Sequence, residues 1–403
     1  MTPVERGPSL WLDYDYCPRP PLHGTHHCDV VVIGGGICGI SAALHAARMG
    51  FSVMVVESRV VAWGATGRNA GFILAGVAER HSRVAAMYGR ERANTLWATT
   101  LENHQLMAEE ISRSAIPCEY RLRGSIQLSN SGDEDAELRE SAELLAQDGF
   151  AGHFLEPHEV PEVYRGAGFG GALVIPTDGE LDPARFVRGA AEVAEAEGVK
   201  IFENTPVMAM DTATQGEVVV ETSEGRIHAM VALLCTNAHA AELVPWFEHR
   251  VMPTRGQMLA TAPAPLLFDC PVYANHGFDY WRQTVAGRIV IGGWRYLDTE
   301  GEVGTRDHVH GEIQGAMERF LARFPGLQGV EITHRWSGIM GFSSDGLCQV
   351  GAVPGQPGLL AAVGFTGHGF GFAWAAGKSL AQLLAEGRSA LSDLLPPRRL
   401  SGE

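Results

Sequence analysis

Val30-Val31-Val32-Ile33 is an unbroken β-branched run, the pattern of a strand buried on both faces. Glycines follow at once. Ile40-Ser41-Ala42-Ala43-Leu44-His45-Ala46-Ala47-Arg48 then reads as a packed helix, and a second apolar run from Phe51 to Val56 ends at Glu57. Downstream the period lengthens: 80–115 and 133–148 read as amphipathic helices rich in Ala, Leu and Glu, while Cys118 to Ser129 alternates like a strand. Asp182 followed by Pro183 predicts an N-cap and a first-turn proline, with the helix ending near Gly198. Residues 199–202 and 218–222 read as strands, and Val231 to Ala238 reads as a buried strand ending in a polar loop. The stretch 251–295 is strand-rich, with turns expected at Arg255-Gly256, Ala286-Gly287 and Gly292-Gly293. A helix is predicted over 308–323, stopped by Phe324-Pro325-Gly326. Leu359 to Val363 forms a last strand, 364–369 a glycine loop and 371–386 a last helix.

Between the first strand and helix, Gly34, Gly36 and Gly39 fall at the spacing G-x-G-x-x-G, with Ile37 and Cys38 inside it. The first glycine permits a tight turn, the second a close approach of a pyrophosphate, the third close packing of helix on strand. The helix start presents free N–H groups and a positive dipole end. Glu57, with Ser58 after it, lies about 20 residues beyond the glycines, where an acid grips an adenosine ribose. Trp63 to Phe72 is dense in small residues (Gly64, Ala65, Thr66, Ala70, Gly71) around Arg68 and Asn69, which lets backbone run close beside a flat ligand.

A length of 403 residues implies two lobes, and a hydrophobic content of 45% with 49 glycines suits an α/β protein. The net charge of −16 argues against nucleic-acid binding. Seven scattered cysteines without a C-x-x-C pair fit reduced thiols, and no apolar leader opens the chain, so a cytoplasmic setting is expected. The stretch from Val30 to Val56 is cut by glycines, His45 and Arg48 and is not a membrane span. His23, His26 and His27 beside Cys28 match no usual ligand spacing, so no metal is expected. Residues 1–27, rich in proline, read as an arm that Trp11, Tyr14 and Tyr16 could dock.

The fingerprint at one end and the glycine loop with its helix at the other resemble the FAD-dependent oxidoreductases of the D-amino acid oxidase superfamily. The branch is that of glycine oxidase, sarcosine oxidase and gamma-glutamylputrescine oxidoreductase. The resemblance covers residues 28–387 and rests on Gly34-x-Gly36-x-x-Gly39, Gly64-Ala65-Thr66-Gly67-Arg68-Asn69, Thr236-Asn237-Ala238, Pro253-Thr254-Arg255-Gly256-Gln257 and Gly364-Phe365-Thr366-Gly367-His368-Gly369. It implies an α/β protein with a discontinuous Rossmann-like FAD-binding lobe (28–85, 176–245 and 330–390). It also implies an α+β substrate lobe with an antiparallel sheet (86–175 and 246–329), leaving 391–403 as a tail. Beyond the fingerprint, it implies that Val207, Thr236, Asn237, Gly338, Gly364, Thr366, Gly367, His368, Gly369 and Phe370 touch FAD. Amides at 367–370 would stabilise negative charge on the reduced flavin edge.

Departures from the family pattern refine this. Met340 stands where amino-acid-oxidising members place a carboxylate-clamping arginine, and methionine cannot make that pair. Gly338 stands near the flavin-linking cysteine of the sarcosine oxidase branch, so FAD is expected to be non-covalent. Gly371 and Val290 replace lysines of that branch, which leaves oxygen or another electron acceptor open. The expected reaction is oxidative deamination of an amine or polyamine derivative, by hydride transfer to flavin and hydrolysis of the imine. His368, Arg282 and Tyr280 are the catalytic candidates. Arg255, Tyr280, Trp281, Arg282 and Met340 are the substrate-side candidates, with the two aromatics placed to enclose a cationic amine. Two alternatives are an amino acid oxidase or dehydrogenase clamping carboxylate with Arg282 or Arg255, and a non-catalytic or electron-relaying flavoprotein subunit.

Overall fold

The computed structural model describes residues 7–212 and 216–401. The first six residues of the expected arm and the last two of the tail lie outside the described residues. The first lobe is built on a sheet whose order is Gln349–Ala352, Leu359–Val363, Gly225–Leu234, Gly24–Ile33, Val53–Val56, Lys200–Phe202. From Leu359–Val363 to Lys200–Phe202 the neighbours are parallel. Val30 to Ile33 are buried, as an all-apolar run in a covered parallel sheet requires. Ile33 pairs with both Val56 and Leu234, so three strands end level, and their carboxyl ends open onto one crevice.

The second sheet runs Ile332–Ser343, Val251–Pro263, Arg288–Gly293, Asp279–Gln283, Val272–Ala274, Ser125–Leu128, Ala172–Ile175, His153–Leu155. All its pairings are antiparallel except that of Val272–Ala274 with Ser125–Leu128. Strand alternation divides its residues. Trp281, Ile291 and Leu259 face the helix Gly311–Leu321 and share a core with Phe320 and Phe324. Met258, Val290 and Trp336 face the first lobe and join its core.

Several expected boundaries move. Residues 332–343, expected in the nucleotide lobe, form the edge strand of the second sheet, paired with Val251–Pro263 along its length. The Arg255-Gly256 turn is absent because both residues sit inside that continuous strand. The helix expected over 80–115 is two, His81–Tyr88 and Arg90–Ser114, broken at Gly89, whose φ is 86°. Arg90–Ser114, placed by sequence in the substrate lobe, packs on the first: Asn103 donates to the Phe370 carbonyl (2.8 Å) and accepts from the Ala375 amide (2.9 Å). The tail is also part of the first lobe, since Leu391 and Leu395 are buried and the Leu395 carbonyl accepts from Val350 N. The predicted cap is present: the Asp182 carboxylate accepts from Ala184 N (3.0 Å) and Arg185 N (2.9 Å) at the start of Pro183–Ala196. The described part of the arm is docked by Trp11, whose indole donates to the Asn69 carbonyl at 2.7 Å, and by Tyr16, bound to Glu203. No helix among the described residues is long and apolar enough to cross a membrane.

The two ends of the chain meet where the helices Ile37–Arg48 and Gly369–Glu386 cross. Ser41 Oγ donates to the Trp374 carbonyl at 2.6 Å, and a Cβ built on Gly377 would lie 2.5 Å from the Cys38 carbonyl and 2.6 Å from the Ala42 amide. Those neighbours are backbone and cannot swing aside. Gly377→Ala is therefore expected to cost about 1–3 kcal/mol through forced separation of the helices. A urea unfolding midpoint should fall well below that of the control Gly132→Ala, where a methyl meets nothing within 4 Å.

Candidate active site

A cavity of about 1320 Å³ runs between the lobes. This exceeds the volume of a typical small-ligand pocket and suits a large cofactor with a substrate beside it. Gly34, Gly36, Ile37 and Cys38 line it, as do Glu57, Ser58, Gly64 to Thr66, Arg68 to Ala70, Val207, Thr236 and Asn237. The second sheet contributes Gly338 and Met340, and the C-terminal loop contributes Thr366 to Phe370. Three expected cofactor residues lie behind this surface. Gly39 has no room for a Cβ against the Gly34 carbonyl, Gly71 none against the Leu181 carbonyl, and the Gly364 amide donates to Asn237 Oδ1 at 3.0 Å.

The chain has groups ready for a dinucleotide. Gly34 has φ 106°, and a Cβ there would lie 2.8 Å from the Cys235 carbonyl. The helix Ile37–Arg48 starts without a side-chain cap; Thr66 Oγ1 accepts from Ile37 N at 3.0 Å, and the amides of Cys38 and Gly39 have no acceptor among the described residues. Unsatisfied first-turn amides are an anion site. Thr236 Oγ1 is buried in the wall without a hydrogen-bond partner among the described residues. Glu57 accepts from Gly35 N (2.8 Å) and Arg59 N (2.9 Å), while burial raises its carboxyl pKa.

Asn237 ties the site together from a left-handed backbone position, φ 47°. Its Oδ1 accepts from Gly364 N and also lies 3.4 Å from Phe365 N, joining the end of Gly225–Leu234 to the C-terminal loop. That loop is joined in turn to the second sheet, since Thr366 N donates to the Gly341 carbonyl at 2.8 Å. At the start of Gly369–Glu386 the amides of Gly369 and Phe370 have no acceptor among the described residues.

The remaining wall is aromatic. Tyr273 lies 5.7 Å from Tyr280 and 5.4 Å from Phe72 between ring centroids, and stacks at 6.4 Å on His368. Gly292 leaves room for the Tyr280 ring, and Gly256 packs beside Met340. A Cβ on Gly292 would lie 2.6 Å from the Tyr280 ring, and one on Gly256 would lie 3.0 Å from Met340 Cε. Burial pushes the Tyr280 phenol up to about 12 and raises Tyr273 further, so both rings are neutral. Burial lowers the His368 imidazole to about 4, so it too is uncharged near neutral pH.

Three substrate-side candidates are placed elsewhere by the structure. Trp281 alternates with Tyr280 and therefore points to the opposite face, fully buried against Phe320 at 4.8 Å. Arg255 shares that face: it pairs with buried Glu302 at 3.2 Å and donates to the carbonyls of Arg306 and Gly301. Arg282 has the same parity as Tyr280 but lies one pair farther along, outside the cavity. There it pairs with Glu180 at 3.0 Å, donates to the carbonyls of Ala70 and Leu181, and stacks 4.8 Å from the Trp11 ring. Neither arginine reaches the cavity as a carboxylate clamp. Sequence reasoning missed Tyr273, Phe72, Phe278, Phe342 and Arg295, all of which line it. The alternation of Val272-Tyr273-Ala274 and the register with Tyr280 were the available signal for Tyr273.

A parallel sheet with a glycine-cradled crevice, closed by a mainly antiparallel second sheet, defines a two-lobed dinucleotide-dependent enzyme. The family model described as "DAO: FAD dependent oxidoreductase" matches residues 29–383, and the chain belongs to that family of FAD-dependent oxidoreductases. It is 29% identical over 380 residues to gamma-glutamylputrescine oxidoreductase of Escherichia coli (strain K12), covering 92% of this chain and 86% of that one. It is 26% identical to glycine oxidase of Bacillus licheniformis, covering 88% of this chain and 92% of the relative. The fold matches the crystal structure of glycine oxidase from Geobacillus kaustophilus with TM-score 0.79 at 23% identity, over 92% and 98% of the two chains.

Arg282→Met leaves the Glu180 carboxylate buried with less compensation and is expected to destabilise the fold by about 3–5 kcal/mol. The check is a denaturation midpoint beside steady-state kinetics. A structural arginine lowers the midpoint and the folded fraction, whereas a substrate clamp would raise KM for carboxylate substrates alone.

Proposed function

We propose that this protein oxidises an amine, a polyamine derivative or an amino acid at the carbon bearing nitrogen. The observation that carries the reading is the aromatic wall of Phe72, Tyr273 and Tyr280 beside His368, in the same cavity as the dinucleotide cradle. FAD, when bound, supplies the hydride acceptor. The substrate loses two electrons and becomes an imine, which water hydrolyses to a carbonyl compound and the free amine or ammonia. The neutral ring faces of Tyr273 and Tyr280 attract a nitrogen carrying positive charge and exclude water around the C–H bond to be broken. The amides of Gly369 and Phe370, at a helix start, are the groups this chain sets against negative charge on the reduced cofactor. Neutral His368 contributes shape and stacking rather than charge. The names of the relatives, gamma-glutamylputrescine oxidoreductase and glycine oxidase, support a substrate with an oxidisable C–N bond.

The purified protein is expected to be yellow and to release its flavin into solution on heat denaturation; colour retained on the precipitated chain would overturn the non-covalent reading. Anaerobic mixing with a panel of primary and secondary amines, polyamine derivatives and amino acids is expected to bleach the flavin band for at least one class. Failure of every member to bleach it would overturn the amine reading. Reoxidation by dissolved oxygen, compared with an artificial acceptor, then separates oxidase from dehydrogenase.

A further inference from the structure

Four arginines lie in or around the substrate end of the cavity, and their pairing separates them. Arg68 pairs with Asp307, Arg255 with Glu302 and Arg282 with Glu180. Arg295 lines the cavity, yet among the described residues no carboxylate lies within 4.0 Å of it and its guanidinium makes no hydrogen bond. Its planar group instead lies 4.8 Å from the Phe342 ring and 5.4 Å from the Phe278 ring. The backbone fixes this placement. Gly293 (φ 119°) and Trp294 (φ 55°) turn the chain sharply after the strand Arg288–Gly293. Trp294 is driven into the core, 4.9 Å from Phe320, and the next residue swings to the cavity side.

A half-buried guanidinium held over ring faces keeps its hydrogen-bonding edge for something else. Burial lowers its pKa, yet arginine stays protonated in proteins, so the charge is present, and Glu302, already paired with Arg255, acts on it only from beyond ion-pair distance. The neighbouring Tyr280 phenol is neutral and offers no compensation. A single planar cation fits two coplanar oxygens carrying one negative charge, which is a carboxylate.

Resting on the amine reading above, we propose that Arg295 is the specificity-determining residue: it binds a carboxylate of the substrate, so the amines this enzyme prefers carry a carboxylate group. Met340 and the aromatic wall hold the apolar part of the molecule, and Tyr273 and Tyr280 border the nitrogen. This assigns to Arg295 the contact that Arg255 and Arg282 cannot make from their buried ion pairs.

Two measurements on the flavin-loaded protein test it. In the first, acetate, propanoate and butanoate, which lack an amine, are titrated against the corresponding amides while the flavin absorbance spectrum is recorded. Wild type is expected to bind the carboxylates in preference to the amides. Arg295→Met should weaken the carboxylates by about tenfold or more with the amides unmoved, and Arg295→Lys should restore part of the loss. In the second, anaerobic flavin reduction by glycine, N-methylglycine, proline and 4-aminobutanoate is compared with that by their amides, in wild type and both variants. Flavin content and melting temperature report whether each variant is folded and loaded. Carboxylates that fail to bind wild type, or that bind Arg295→Met unchanged, overturn the proposal. Selective carboxylate binding without bleaching by any amine leaves Arg295 as a carboxylate site and removes the amine reading. Bleaching by amines and amides alike, insensitive to position 295, does the reverse.

Discussion

The placing of both ends of the cavity depends on two helices being able to touch. Ile37–Arg48 and Gly369–Glu386 are separated by most of the chain, yet Gly377 brings the second onto the backbone of the first. Each begins with amides that have no acceptor among the described residues. Because the contact fixes the distance between the helices, it fixes how those two electropositive starts relate to one cavity. One start lies at the loop Gly34 to Gly36 and the other in the loop beside the aromatic wall. A side chain at Gly377 would act on backbone on both sides, so the tolerance at this crossing is smaller than at a contact between flexible side chains.

The crossing sets the spacing, and Asn237 sets the alignment. The carboxyl ends of the parallel strands are level at Ile33, Val56 and Leu234, and Asn237 follows at the point where the chain leaves the sheet. Its left-handed backbone is tolerable for asparagine and poor for bulky residues. Its one carbonyl oxygen then reaches the C-terminal loop, and Thr366 carries the connection to the strand Ile332–Ser343. Three discontinuous pieces of chain are thereby held around the same space by a few directional bonds. The two sheets are thus coupled at the cavity as well as through their cores.

The local parts of this design were legible in the sequence. The glycine fingerprint, the Asp182-Pro183 cap and the strand–loop–helix unit at 359–386 each depend on neighbours in the chain, and each formed where its residues indicate. The partition of pieces between lobes was less legible, because an apolar strand such as Ile332–Ser343 carries no mark of which sheet it joins. The turn expected at Arg255-Gly256 is absent because a glycine inside a strand, here packed beside Met340, looks the same in sequence as one at a turn. The differences at the aromatic wall have a simpler cause. Tyr280, Trp281 and Arg282 are consecutive, and a strand cannot send neighbours to the same face. Arg295 was not readable at all, since its direction depends on the left-handed turn at Trp294.

The arginines around the aromatic wall differ in how their charge is held. Arg255 and Arg282 are deep in the protein, where an unpaired guanidinium would be costly, and each is matched by a carboxylate and by backbone carbonyls. Arg68 is matched by Asp307 while its backbone carbonyl accepts from Trp336 at 3.0 Å. These three hold the arm, the sheet and the lobe boundary in place, and their charges are cancelled locally. Arg295 is supported by ring faces, which soften the cost of desolvation without neutralising the charge or covering its donors. The net charge of −16 over the whole chain has little bearing here, because at this depth the field is set by the nearest groups. Among these four arginines, pairing marks Arg68, Arg255 and Arg282 as parts of the fold, and it is Arg295, without a carboxylate partner among the described residues, that carries the proposed ligand contact.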